Sequence, residues 1–196
     1  MATPDFILRL REKIGHESLW VPGCTAVVLR RKPVDDGEAE DQQEADPGWL
    51  RRDGVTDRSQ VEVLVVRRAD NDKWTPVTGI VDPGEQPARA CQREIEEEAG
   101  VVAVPVRLLS VDVVGPVTYP NGDVSEYLDT AFLFEWVSGD PFPADGENSE
   151  ARFVAVADLP EMNDRFVRVI ERALSNEVEA QFELSGRSQA ASDGWA

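Results

Sequence analysis

The chain has 196 residues, 41% of them apolar, which suffices for one substantial hydrophobic core and is short for two. Its 38 acidic and 20 basic residues leave a formal net charge of −18, a field that repels nucleic acid polymers and anionic membranes and argues against both as partners. The same field repels a polyphosphate, so an enzyme acting on one would need bound cations or local Arg and Lys.

Residues 4–14 place Phe6, Ile7, Leu8, Leu10 and Ile14 among charged neighbours, a pattern that suits a short amphipathic helix or a strand almost equally, with helix favoured, within an N-terminal extension of residues 1–17. No basic segment leads an apolar run here and no stretch reaches the length of a membrane span, so a soluble cytoplasmic protein is the expectation. The single histidine, His16, cannot supply a two-histidine metal site, and Cys24 and Cys91 are too far apart in sequence to frame zinc or a redox dithiol. Pro22 and Gly23 punctuate the chain before a β-branched strand at Thr25 to Leu29. Residues 31–60 crowd Asp35, Asp36, Glu38, Glu40, Asp41, Glu44 and Asp46 among Gly, Pro and Gln; this segment reads as a mobile acidic insertion, with Trp49 and Leu50 pinning its far end or, as the less favoured alternative, Trp49 reaching over a substrate.

Val61 to Val66 resumes the sheet and runs into Arg67 and Arg68, and a short extended piece from Trp74 leads to Gly79. From Gln86 to Ala99 the composition is helical, with Pro87 in the first turn and Gly100 at the natural stop. Further strands are expected at Val106 to Val114, Tyr127 to Val137 and Arg152 to Ala157, separated by turns at Pro120 to Asp123 and Gly139 to Pro141. A closing helix starts near Asn163 with an apolar stripe of Phe166, Val169, Ile170, Ala173 and Leu174, and residues 185–196 read as a disordered tail. Strands, one central helix, more strands and a final helix fit an α/β fold with a mixed sheet between helices.

The segment Gly79 to Val101 concentrates the chemistry. On a helix Glu94, Glu97 and Glu98 stand three and four residues apart and share one side, while Cys91, Ile95 and Ala99 form an apolar line toward the core. Unsupported, such carboxylates repel one another and their pKa values rise; a hard divalent cation reverses that balance, and Mg²⁺ or Mn²⁺ suits an all-oxygen cluster. Taken alone, an acidic helix is most often a solvated face. The flanking residues go further: Gly79, Glu85 after five residues, Arg93 and Glu94 after seven more, Ile95, Glu97, Glu98, Gly100 and Val101.

That pattern resembles the signature of the Nudix hydrolases at every constrained position, over a domain spanning about residues 18–176. The resemblance implies the Nudix fold, a mixed curved sheet sandwiched between helices, and hydrolysis of a pyrophosphate bond in a nucleoside diphosphate derivative with Mg²⁺ or Mn²⁺ as cofactor. It makes Glu94, Glu97 and Glu98 the metal ligands together with the Gly79 carbonyl, with Arg93 holding a carboxylate and Glu85 steadying the loop. A further acidic residue comes from a later loop, where Glu147 is preferred over Glu150; Glu97, Glu98 and Glu147 compete as the general base. Arg67, Trp74, Pro116 and Tyr119 are the candidate substrate contacts. Pro116, sixteen residues after Gly100, is the cue that relatives cleaving ADP-ribose carry, whereas Tyr119 lies near a tyrosine associated with dinucleoside polyphosphate hydrolases. An ADP-sugar ranks first, a nucleoside triphosphate or oxidised nucleotide second, a dinucleoside polyphosphate third; a non-catalytic nucleotide-binding module is the reading of another class. Homodimers are common in the family.

Overall fold

A computed structural model describes residues 3–33 and 48–184. Seven strands form one mixed sheet: β1 (Leu19–Arg31), β2 (Val61–Arg68), β3 (Trp74–Thr75), β4 (Val77–Ile80), β5 (Val102–Thr118), β6 (Val124–Ser138) and β7 (Asn148–Ala155). The path runs β3-β2-β1-β6-β5, with β4 added to β1 and β7 to β2. β1 pairs parallel with β6 over eleven positions, from Leu19 with Ser125 to Leu29 with Glu135, while its contacts with β2 and β4 are antiparallel.

Side chains alternate across a strand, so each strand serves two cores. Cys24, Ala26, Val28, Leu64 and Val66 face one side and pack with Cys91, Ile95 and Ala99 of helix α3 (Pro87–Ala99). Val27, Leu29, Val63 and Val65 face the other and pack with Ile170, Ala173 and Leu174 of helix α4 (Asp164–Leu174). This is the expected sandwich. Helix α4 begins at Asn163, whose side chain accepts from Arg165 N, as an N-cap should.

Helix α1 (Asp5–Ile14) lies in the N-terminal extension and buries Ile7 in a third cluster with Val21, Ile80, Val114 and Tyr127. Arg11 fastens this extension to β6, donating to Val124 O at 2.6 Å and Ser125 Oγ at 3.0 Å.

At the insertion expected over residues 31–60, the described edges are structured. Arg31 belongs to β1, and α2 (Trp49–Arg52) buries Trp49 and Leu50 before a 3-10 turn at Arg58–Gln60 leads into β2. The reason is Glu135, itself 1% exposed, whose carboxylate accepts from Gly48 N and, at 2.9 Å, from Leu50 N. Residues 34–47 and the tail of 185–196 lie outside the described residues. Pro22 sits within β1 rather than ending it: its carbonyl accepts from Val81 N just past the end of β4, its ring nitrogen faces the same side, and the parallel pairing with β6 continues through it. β5 likewise extends past Pro105 and Pro116, accommodating them at irregularities of an edge strand.

Candidate active site

Helix α3 sets the site. Pro87 occupies its first turn, and Gly100 ends it in the left-handed conformation at φ 67°, where an L side chain would be strained. The loop that follows β6 returns to this end: Phe142 N donates to Ala99 O at 3.1 Å and Ala144 N to Glu98 O at 3.3 Å, satisfying carbonyls that the helix leaves open. Residues 142–145 are thereby held across the C-terminal turn of α3.

Glu94 and Glu98 point into the protein and are 5% and 1% exposed. Gly79 on β4 makes room for Glu94: a Cβ there would lie 2.3 Å from Glu94 Cγ and 2.4 Å from its Oε1. Arg93 ties the group together. Its Nη1 donates to Glu94 at 2.8 Å and Glu97 at 3.1 Å, its Nε and Nη2 donate to the two oxygens of Glu85 at 3.1 and 3.0 Å, and Nη2 reaches Ile80 O at 3.2 Å. The Glu85 carboxylate is in turn held below its ordinary range, first by this hydrogen bonding to Arg93, and Asp82 N donates to it at 3.2 Å. Burial pushes Glu94 up to about 7 against the opposing pull of Arg93, and pushes Glu98 up to about 8 with Glu94 adding repulsion.

The expected convergence of all three glutamates is met for two. Glu97 is half-exposed and lies against Arg93, and among the described residues no group of three or more acidic, His or Cys side chains is assembled as a metal cluster. Mutual repulsion separates the carboxylates, and the guanidinium is the counter-ion at hand. The donor set nevertheless fits a hard divalent cation. It is all oxygen, it is cradled by a glycine, and Glu98 Oε1 is buried with no hydrogen-bond partner among the described residues, while Oε2 accepts from Asn148 Nδ2 at 3.2 Å.

An open cleft of about 770 Å³ adjoins this group, lined by Glu85, Arg89, Arg93, Glu96, Glu97, Ala144 and Asp145. Glu147 is half-buried at the start of β7, its carbonyl accepting from Ala69 N and its amide donating to Asp145 Oδ1, both at 2.9 Å. Glu150 is placed otherwise. It pairs in register with Arg67 and accepts from its Nη1 at 2.9 Å, and strand alternation turns both away from the face that Val66 and Ala151 share with α3.

Trp74 follows Arg67. It packs into the α4-side core, with the Arg67 and Arg152 guanidinium carbons 5.9 and 4.5 Å from its ring centroid. Arg67 and Trp74, expected to touch substrate, therefore lie on the sheet face opposite α3. Tyr119 packs in the third cluster with its hydroxyl hydrogen-bonded to that of Tyr127, and burial raises its pKa. Pro116 is exposed on β5 after a cis peptide bond from Gly115.

Three residues beside the Gly79 to Val101 segment escaped the sequence reading. Asn148 touches Glu98 directly, Asp145 lines the cleft, and Arg68, 9% exposed and paired with Asp70 at 2.9 Å, supplies positive potential to Glu98. Strand alternation carried the one available signal, since of two adjacent arginines only one can face α3.

The model of the NUDIX domain family matches residues 50–174. The NAD-capped RNA hydrolase NudC of Deinococcus radiodurans is 34% identical over 127 residues, covering 64% of this chain and 42% of that protein. The 8-oxo-dGDP phosphatase NUDT18 of Homo sapiens is 42% identical over 60 residues, covering 29% of this chain and 19% of that protein. The chain thus spans less than half the length of these relatives. Among solved structures, a NUDIX hydrolase from Nitrosomonas europaea aligns with TM-score 0.53 and 20% identity over 79% of this chain and 88% of that one. An ADP-ribose pyrophosphatase from Streptococcus suis aligns with TM-score 0.53 and 16% identity over 83% and 98%. At these identities the two structures share the fold.

Proposed function

The chain belongs to the Nudix family, and from that premise we propose that it hydrolyses a pyrophosphate linkage in a nucleoside diphosphate derivative, with an ADP-sugar such as ADP-ribose as first substrate. The observation that carries the reading is the buried pair Glu94 and Glu98 against Gly79, with Glu98 Oε1 lacking a partner. Glu94, Glu97, Glu98 and the Gly79 carbonyl would hold Mg²⁺ or Mn²⁺. When bound, the cation supplies positive charge that polarises phosphorus and makes a bound water more acidic.

The chain's own groups do the rest. Arg93 keeps Glu85, Glu94 and Glu97 in place through four carboxylate contacts, and Asn148 fixes Glu98 by one oxygen and leaves the other open. A carboxylate removes the proton from the attacking water, with Glu97, Glu98 and Glu147 as candidates and Glu147 preferred as the group delivered by the later loop. The packed ring and engaged hydroxyl of Tyr119 count against the dinucleoside polyphosphate reading, which leaves Pro116 and its ADP-ribose cue.

A second reading has its own support. NudC is named for NAD-capped RNA, so cleavage of an NAD-type dinucleotide stands beside ADP-ribose, both being AMP joined through a pyrophosphate to a second ribose. The test is a panel of ADP-ribose, NAD, NAD-capped RNA, 8-oxo-dGDP, dATP and a diadenosine polyphosphate, each with Mg²⁺ or Mn²⁺ and with products separated. AMP and ribose 5-phosphate as the dominant product pair are expected. Preferential cleavage of NAD, free or capped, would move the assignment to the second reading, and no turnover of any member would overturn both.

A further inference from the structure

A second concave site lies on the other side of the sheet. A cavity of about 500 Å³ opens between α2, the residues after α4 and strand β5, lined on one wall by Leu50, Val55, Val106, Leu133, Ala173 and Val178. That volume falls within the range of small-molecule sites. The remaining lining is cationic: Arg51, Arg52 and Arg107 all border it. The one acidic side chain in the lining, Asp53, is held by Arg31 Nη2 at 2.8 Å. Three guanidinium groups border it in a chain whose net charge is −18, and Arg51 Nη2 also donates to Pro105 O at 2.7 Å on the β5 side.

The cavity is built by specific contacts. Arg107 Nη2 donates to Arg172 O at 3.0 Å and Ser175 O at 2.9 Å, fixing its guanidinium at the end of α4, while its Nη1 is buried with no hydrogen-bond partner among the described residues. Asn176 Oδ1 accepts from Val55 N at 3.1 Å, and a Cβ on Gly54, at φ +64°, would come within 2.5 Å of that oxygen. Leu50 and Val106 belong to the α4-side core, whereas the carboxylate site packs on the α3 side, so the two sites are separated by the sheet.

An apolar wall facing a fork of guanidinium donors matches a small molecule with a flat apolar body and a phosphoryl group, since guanidinium pairs geometrically with phosphate oxygens and a buried donor without an acceptor is unfavourable. We propose that this cavity binds a nucleoside monophosphate, with phosphate on Arg51, Arg52 and Arg107 and base against the Leu50, Val106 and Leu133 wall. It is a second nucleotide site, independent of the reading of the first.

The experiment titrates AMP, adenosine, ribose 5-phosphate and inorganic phosphate into the full chain in EDTA. Calorimetry gives Kd, and methyl spectra report Ala173, Leu133, Val106 and Val178. AMP is expected to bind saturably and shift these methyls, with the other three ligands weaker. Arg51→Gln combined with Arg52→Gln, both exposed positions, should weaken AMP about tenfold or more, the scale of losing charge-assisted hydrogen bonds, and leave turnover unchanged. Arg107→Gln should weaken it further; the exposed pair decides the matter should that variant fold poorly. Absence of saturable binding, unchanged affinity in the double variant, equal binding of ribose 5-phosphate or phosphate, or shifts confined to residues on the α3 side would each overturn the proposal.

Discussion

At Glu98 one carboxylate oxygen rests on Asn148 and the other, though buried, meets no donor, which makes the charged form costly in the metal-free protein. Folded-state values of about 7 for Glu94 and about 8 for Glu98 stand above the ordinary 4.5, so their contribution to stability is fully present below about pH 4.5 and is lost as pH rises through 7 and 8. The thermal midpoint in EDTA should therefore fall across that window. Saturating Mg²⁺, which favours the ionised form, should flatten the fall, and Glu98→Gln should flatten it without metal while lowering turnover on the order of a hundredfold or more. A parent midpoint that stays level in EDTA would show that these carboxyls ionise at no cost. The acidic loop gives a second prediction. Glu150 is occupied by Arg67 on the far face, so Glu150→Gln should turn over like the parent, whereas Glu147→Gln should lose on the order of a hundredfold and change the pH profile even at saturating metal. Asp145 lines the cleft; a larger loss in Asp145→Asn than in Glu147→Gln would transfer the role to Asp145.

Among the elements, α3 was legible because its pattern is local: a proline start, an apolar line and glutamates at helical spacing fall within its 13 residues, and a glycine stop follows directly. The core of β1 was legible for the same reason, in its β-branched run. What depended on partners was not. Pro22 reads as a break until its parallel neighbour is known, and Arg67 cannot be told from Arg68 until one face of β2 is assigned to α3. Helix α2 is the clearest case, because its four residues carry no period and the group that holds it comes from β6. Glu135→Ala would leave Gly48 N and Leu50 N without their acceptor, a loss of about 1–3 kcal/mol. Chemical denaturation should show it as a lower midpoint at unchanged slope; an unchanged midpoint would mean that α2 is held by Trp49 and Leu50 alone.

Across the whole molecule, the charge of −18 makes substrate capture a problem that the site does not solve by itself. The cleft is lined by Arg89 and Arg93 against Glu85, Glu96, Glu97 and Asp145, so its own side chains add to the negative field instead of reversing it. A bound cation offsets this only at close range, while approach from solution is governed by the longer-range field. Salt screens that field: the Debye length shrinks from about 30 Å at 0.01 M to about 8 Å at 0.15 M ionic strength. With metal kept saturating, kcat/KM for ADP-ribose should therefore rise over this interval, opposite to the decline expected of an enzyme that steers anions inward. For NAD-capped RNA the rise should be steeper, because the polymer brings many more phosphates into the same field. Stopped-time assays on both substrates at matched metal saturation measure the two slopes. A fall in kcat/KM with salt for the capped RNA would reveal a basic track that outweighs the net charge, and would restore a nucleic acid polymer as a partner.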